Sequence, residues 1–84
     1  MNQIYHARKY HQKALELDNE IKNKYGVSRD LWCLGTITKK YEEELSYYIQ
    51  TNDIAEKHDY YNISAPLLFN IGLLHMKQNN AEMA

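Results

Sequence analysis

One cysteine, one proline and three glycines punctuate a chain of 84 residues. Cys33 has no second thiol to pair with, which excludes a disulfide-stapled scaffold and favours a reducing, cytoplasmic setting. No Asn-Gly or Asp-Gly dipeptide separates alternating apolar runs, so the signals of strand hairpins are missing. No apolar run approaches the roughly 20 residues of a membrane span. The opening residues, Met1-Asn2-Gln3-Ile4-Tyr5-His6, lack the apolar core of a signal peptide. A glycine-rich phosphate loop and paired catalytic motifs are also missing, which points away from an enzyme and from a bound cofactor.

What is present favours a folded domain. Hydrophobic residues make up 44% of the chain, too many for a disordered segment. The net charge is −1, but it is unevenly placed. Residues 1–40 carry eight Lys/Arg against four Asp/Glu, whereas residues 41–84 carry two against seven. The simple reading is two solvated faces of opposite sign, and the sharper one is complementary ends that associate head to tail.

Apolar residues recur every three or four positions in four places, which predicts an all-α domain over 1–84 with helices at about 3–24, 28–39, 41–60 and 64–78. In the first, Ile4, Ala7, His11, Ala14, Leu17 and Ile21 mark the stripe. Gly26 is placed to end it in a left-handed conformation, with Ser28 as the cap of the second. Val27, Leu31, Leu34 and Ile37 line the second helix, with Gly35 inside it. Tyr41, Leu45, Tyr48 and Ala55 line the third, and Glu42, Glu43 and Glu44 suit its N-terminus. Ser64 caps the fourth, Pro66 falls in its first turn, and Leu68, Ile71, Leu74 and His75 form its stripe. A glycine inside a helix costs about 1 kcal/mol against alanine, so Gly35 and Gly72 both predict close helix–helix contacts.

An internal repeat connects these elements. At an offset of 37, Leu31-Trp32-Cys33-Leu34-Gly35 aligns with Leu68-Phe69-Asn70-Ile71-Gly72. The same offset sets Tyr10 over Tyr47, His11 over Tyr48, Glu16 over Asp53 and Leu17 over Ile54. In this pattern the chain resembles the tetratricopeptide repeat family. Ala7-Arg8-Lys9-Tyr10-His11-Gln12-Lys13-Ala14 is similar to the second helix of such a repeat, with Ala7, His11 and Ala14 at its small–aromatic–small positions. The Leu31 and Leu68 segments are similar to first helices, and residues 77–84 to a turn and the opening of a further helix. The family period is about 34, so the longer one here lengthens the connections. Glu44 and Thr51 stand where small residues are usual. Longer repeats of this kind resemble the bacterial peptide-sensing regulators of the Rap, PlcR and AimR-like type. The resemblance implies two antiparallel helix hairpins in a short α-solenoid, begun on a second helix and stopped as another would start, as a fragment of a longer array would be.

The resemblance also implies a concave peptide-binding face. It assigns Arg29, Trp32, Cys33, Thr36, Lys39 and Lys40 to that face from the second helix, and Phe69, Asn70, Leu73, Met76 and Lys77 from the fourth. Cations and aromatics together suit a peptide bearing acidic groups or a free carboxylate, and an Asn amide pairs with a peptide backbone. Metal binding has no support: His6 and Tyr10 share a face without a completing carboxylate or second His. His11 and His75 read as aromatic substitutes in helix contacts, and Cys33 as a small packed residue rather than a nucleophile.

Three functions are compatible with these features. The leading expectation is a non-catalytic module that binds a peptide or protein, as part of a peptide-sensing regulator. The alternatives are an assembly protein that stacks repeat ends into homo-oligomers, and a small phage-type regulator binding a nucleotide or nucleic acid through its basic half and its tyrosines.

Overall fold

The computed structural model describes residues 3–83, with side chains as far as Asn79. It contains four helices, α1 Gln3–Glu20, α2 Lys24–Thr36, α3 Tyr41–Lys57 and α4 Tyr61–Met83, and no strand among the described residues. Each packs on its neighbour in sequence: α1 on α2, α2 on α3, α3 on α4. The result is a slab of 45 × 36 × 16 Å, an open zigzag of helices.

The internal repeat is visible in the backbone. Lys22 and Asp59 each adopt a φ of 59°, the left-handed region, and they stand 37 residues apart. After α1, the Asn23 N–H reaches the Asp18 carbonyl at 2.8 Å and the Lys22 N–H reaches Asn19 at 3.1 Å. After α3, the Tyr60 N–H reaches the Ala55 carbonyl at 2.8 Å and the Asp59 N–H reaches Glu56 at 3.3 Å. Both are Schellman turns, which satisfy the last carbonyls of a helix and reverse the chain. The helices that follow start at Lys24 and Tyr61, again 37 apart.

Several local expectations are corrected by this turn. Lys22, not Gly26, takes the left-handed conformation, and no glycine has positive φ. The first helix therefore ends at Glu20, and α2 begins four residues earlier than its serine suggested. Asn23 is its cap, accepting the Gly26 N–H at 3.1 Å, while Ser28 lies buried one turn inside and donates to the Tyr25 carbonyl at 2.7 Å. Gly26 is required for space instead, because a side chain there would strike the Asp18 carboxylate and the Asn23 amide. At its other end α2 stops at Thr36 rather than Lys39. The Thr36 and Thr38 hydroxyls each bond a carbonyl four residues back at 2.7 Å, giving the backbone a local alternative to further turns. In the same way α4 starts at Tyr61, so Ser64 is buried within it and Pro66 falls in the second turn. Residues 77–83 continue α4 and do not turn into a new helix; Ala84 lies outside the described residues.

Two layers of core hold the hairpins. Val27, Leu31 and Leu34 bury one face of α2, and Tyr48, Leu67 and Leu74 join α3 to α4 with Trp32, Tyr41, Leu45 and Ile71 packed around them. Thr51 and Ala55 of α3 are fully buried as well. In contrast, α1 buries no residue completely. The two interior glycines part company. A Cβ on Gly35 would lie 2.8 Å from the Tyr48 ring and 3.1 Å from the Tyr47 Cβ. Gly72 has nothing within 4 Å, so the close contact expected there is not made within the chain. Gly35→Ala is therefore expected to destabilise the fold by about 1–3 kcal/mol through overpacking. Gly72→Ala is expected to stabilise it by about 0.5–1 kcal/mol through helix propensity alone. Urea denaturation of dilute protein followed by circular dichroism checks both signs.

Candidate functional site

The α2 positions singled out by sequence share one face of their helix. Arg29, Trp32, Cys33 and Thr36 follow helical spacing on the side opposite Val27, Leu31 and Leu34. Arg29 and Thr36 are exposed, and Trp32 and Cys33 are half-buried. Trp32 packs against the Tyr48–Leu67–Leu74 cluster, and the Thr36 hydroxyl is already engaged by the Trp32 carbonyl. Lys39 and Lys40 are exposed on the connection to α3, where Lys40 reaches Glu43 at 3.7 Å.

On α4 the predicted set divides. Asn70, Leu73 and Lys77 line a depression of about 160 Å³ whose other wall is Glu44 and Tyr48 of α3. Beside it, Lys39, Tyr41, Glu44, Leu74, Lys77 and Gln78 line a second, of about 200 Å³. Lys77, Glu44 and Leu74 belong to both, so the two form one shallow groove between α3 and α4. Phe69 and Met76 line neither depression. Both are more than 60% exposed and lie further round the helix, on its outward side. Arg29, Trp32 and Thr36 also lie outside the groove lining. Lys40 belongs instead to a third depression, where Ile4, Arg8, Ile37, Thr38, Lys39 and Glu43 meet and Arg8 Nη1 donates to the Thr38 hydroxyl at 3.5 Å.

Sequence reasoning missed the contribution of α3. Glu44 and Tyr48 form the polar wall of the groove, with the Tyr48 hydroxyl donating to the Glu44 carboxylate at 3.0 Å. The signal was present: an acid at a position where helix packing favours a small residue. Burial, reinforced by the hydrogen bond and charge of Glu44, pushes Tyr48 up to about 12, so its hydroxyl is a fixed neutral donor. Tyr41 closes the end of the groove, sharing a 3.0 Å hydrogen bond with His75 Nδ1. Lys39 and Lys77 make no ion pair among the described residues, and the Asn70 amide makes no hydrogen bond there. The groove thus offers two cations, an amide, one carboxylate and an apolar floor.

No family model matches this chain, and no curated protein or solved structure is significantly similar to it. Among the described residues no group of three His, Cys, Asp or Glu is placed to hold a metal ion, and no helix is long and apolar enough to cross a membrane. Burial pushes the Cys33 thiol up, with Arg29 offsetting part of the effect and Asp30 adding to it, so Cys33 is a protonated, weakly nucleophilic thiol at neutral pH.

A second titratable feature lies at the α1–α2 turn. Asp30 faces Asp18, and one of its oxygens, Oδ2, is buried without a hydrogen-bond partner. Desolvation, then the Asp18 hydrogen bond and charge, raise Asp30 from 3.8 to about 7, against the opposing pull of Arg29. A raised carboxyl binds its proton more tightly in the folded state. Stability from this group is therefore full below about pH 4 and is lost as pH rises through about 7. Asp30→Asn should flatten that part of the stability profile. It should also exceed the parent's stability at pH 8 by about 1 kcal/mol, after discounting for water near the pair. Chemical denaturation at several pH values reads both effects.

Proposed function

We propose that this chain is a non-catalytic helical-repeat module that binds a protein segment in the α3–α4 groove. The observation that carries this reading is the pair of unengaged cations, Lys39 and Lys77, set beside the Asn70 amide and the apolar floor of Leu73 and Leu74. A peptide carboxylate, from an acidic side chain or a chain end, matches the two ammonium groups. The Asn70 amide can pair with the peptide backbone through its donor and acceptor together. Glu44 narrows the choice. Its carboxylate, lining the same groove as the cations, disfavours a uniformly acidic ligand and favours one with a donor next to its acid. The fit with a tetratricopeptide-like module, of the kind used by peptide-sensing regulators in the cytoplasm, rests on the repeat pattern and this groove. A nucleic-acid role is less well supported, because Glu16 and Glu20 interrupt the basic residues along α1 and Glu16 lies 3.9 Å from Lys13.

Selection from a random displayed-peptide library against the 84-residue chain tests the proposal. Enriched peptides are expected to carry a carboxylate. Calorimetry should show at least a roughly tenfold loss of affinity in Lys77→Glu and in Asn70→Ala, as expected when a charged or amide contact is removed. Failure to enrich any peptide, or binding indifferent to both substitutions, would contradict the groove reading.

A further inference from the structure

The 37-residue repeat allows each helix to be compared with its own counterpart, and the comparison shows two faces that lack a neighbour. Ser28, Leu31 and Gly35 of α2 and Thr38 just beyond its end are buried, and Gly35 lies directly under Tyr47 and Tyr48 of α3. Their counterparts on α4 are Ala65, Leu68, Gly72 and His75, and all four are exposed. With Tyr61, Phe69 and Met76 beside them, α4 is apolar nearly all round, a composition that belongs to helices covered on every side. The reciprocal holds at the other end. On α3, Tyr41, Tyr47 and Ile54 are half-buried, whereas their α1 counterparts Ile4, Tyr10 and Leu17 are exposed. The faces that α1–α2 and α3–α4 use within each hairpin agree position for position: Ala7, Arg8, His11, Ala14, Leu15 and Asp18 correspond to Glu44, Leu45, Tyr48, Thr51, Asn52 and Ala55. The contact between the hairpins, α2 on α3, is the one that has no copy.

We infer that the outer face of α4 receives α1 of a second copy of this chain, repeating the α2–α3 contact with Gly72 under Tyr10 and His11 of the incoming helix. Gly72 then has a reason to be glycine, since a side chain there would meet the second copy as one at Gly35 would meet Tyr48. The charge of the two halves favours this pairing over like with like. The half bearing α1 has an excess of four positive charges, and the half bearing α4 an excess of five negative ones. Such a contact is head to tail and leaves one free face at each end, so copies add in series along the same superhelix. Apolar burial supplies most of the free energy, and high salt weakens the assembly only partly. The contact reaches the groove only at its end, where His75 meets Tyr41, and Asn70 and Lys77 lie outside it, so substitutions in the groove and on the end faces test the two readings separately.

Sedimentation velocity on the 84-residue chain, from about 10 μM to about 500 μM, tests the inference. The parent chain should grow past the dimer as concentration rises. Gly72→Glu blocks one face and the Tyr10→Glu/Leu17→Glu double variant blocks the other. All three sites are exposed, so both variants should keep the parent's circular dichroism, and each alone should be monomeric. Mixed in equal amounts they should form a one-to-one dimer and nothing larger, because only one complementary pair of faces remains. A monomeric parent at every concentration would overturn the inference. So would dimerisation of either variant alone, which signals a symmetric contact, or a mixture that stays monomeric.

Discussion

The ring of Tyr48 fills the volume that a side chain at Gly35 would need, and three helices meet there. One side of the ring lies against the α2 backbone, the other joins Leu67 and Leu74 of α4, and its hydroxyl is held by Glu44 on its own helix. Because a glycine allows the α2 backbone to come this close, α3 can serve two neighbours at once. Without that contact the chain would be two separate hairpins, each too small to bury much apolar surface. The groove walls depend on it as well, since Tyr48 and Glu44 are both junction and binding surface.

The two left-handed turns set the geometry around this junction. Lys22 and Asp59 pay a steric cost that glycine would avoid, and the Schellman hydrogen bonds that follow offset it. Identical turns give both hairpins the same shape, and the α2–α3 contact relates one to the other by a fixed displacement. Open ends follow from that arrangement. A closed bundle would pack α4 on α1; here the substantial helix contacts run between sequence neighbours, α4 meets α2 at the Asn62–Tyr25 hydrogen bond of 2.6 Å, and Leu68, Phe69 and Met76 remain on the surface.

Much of this was legible in the sequence. Helical spacing gave four helices in the right places, and the 37-residue offset, first seen in Leu31–Gly35 and Leu68–Gly72, reappears in the turns and helix starts. The boundaries were harder to read, because residues with good local chemistry for one role were used in another. Ser28 and Ser64 look like caps but are small buried residues, and Gly26 looks like a terminator but makes room for Asp18. A lysine and an aspartate in the left-handed region carry no comparable signal. Among the predicted binding residues, Lys39, Asn70, Leu73 and Lys77 meet in one groove. Phe69 and Met76 do not, since the α4 outer face could be told from its inner one only after the position of α3 was known. The opposite outcomes at Gly35 and Gly72 have the same origin: the repeat pattern specifies a contact at both, but within one chain only the first has a neighbour to make it.

The open arrangement of the helices is the claim on which the groove, the end faces and the repeat relation all rest. Nuclear Overhauser contacts measured on dilute, isotope-labelled protein test it most directly. The open zigzag predicts contacts from the Gly35 α-protons to the Tyr48 ring and the Tyr47 β-protons, and none between side chains of α1 and α4. Contacts joining Tyr10 or Leu17 to Leu68 or Phe69 within a single monomer would contradict it, because they would show the chain closed into a four-helix bundle.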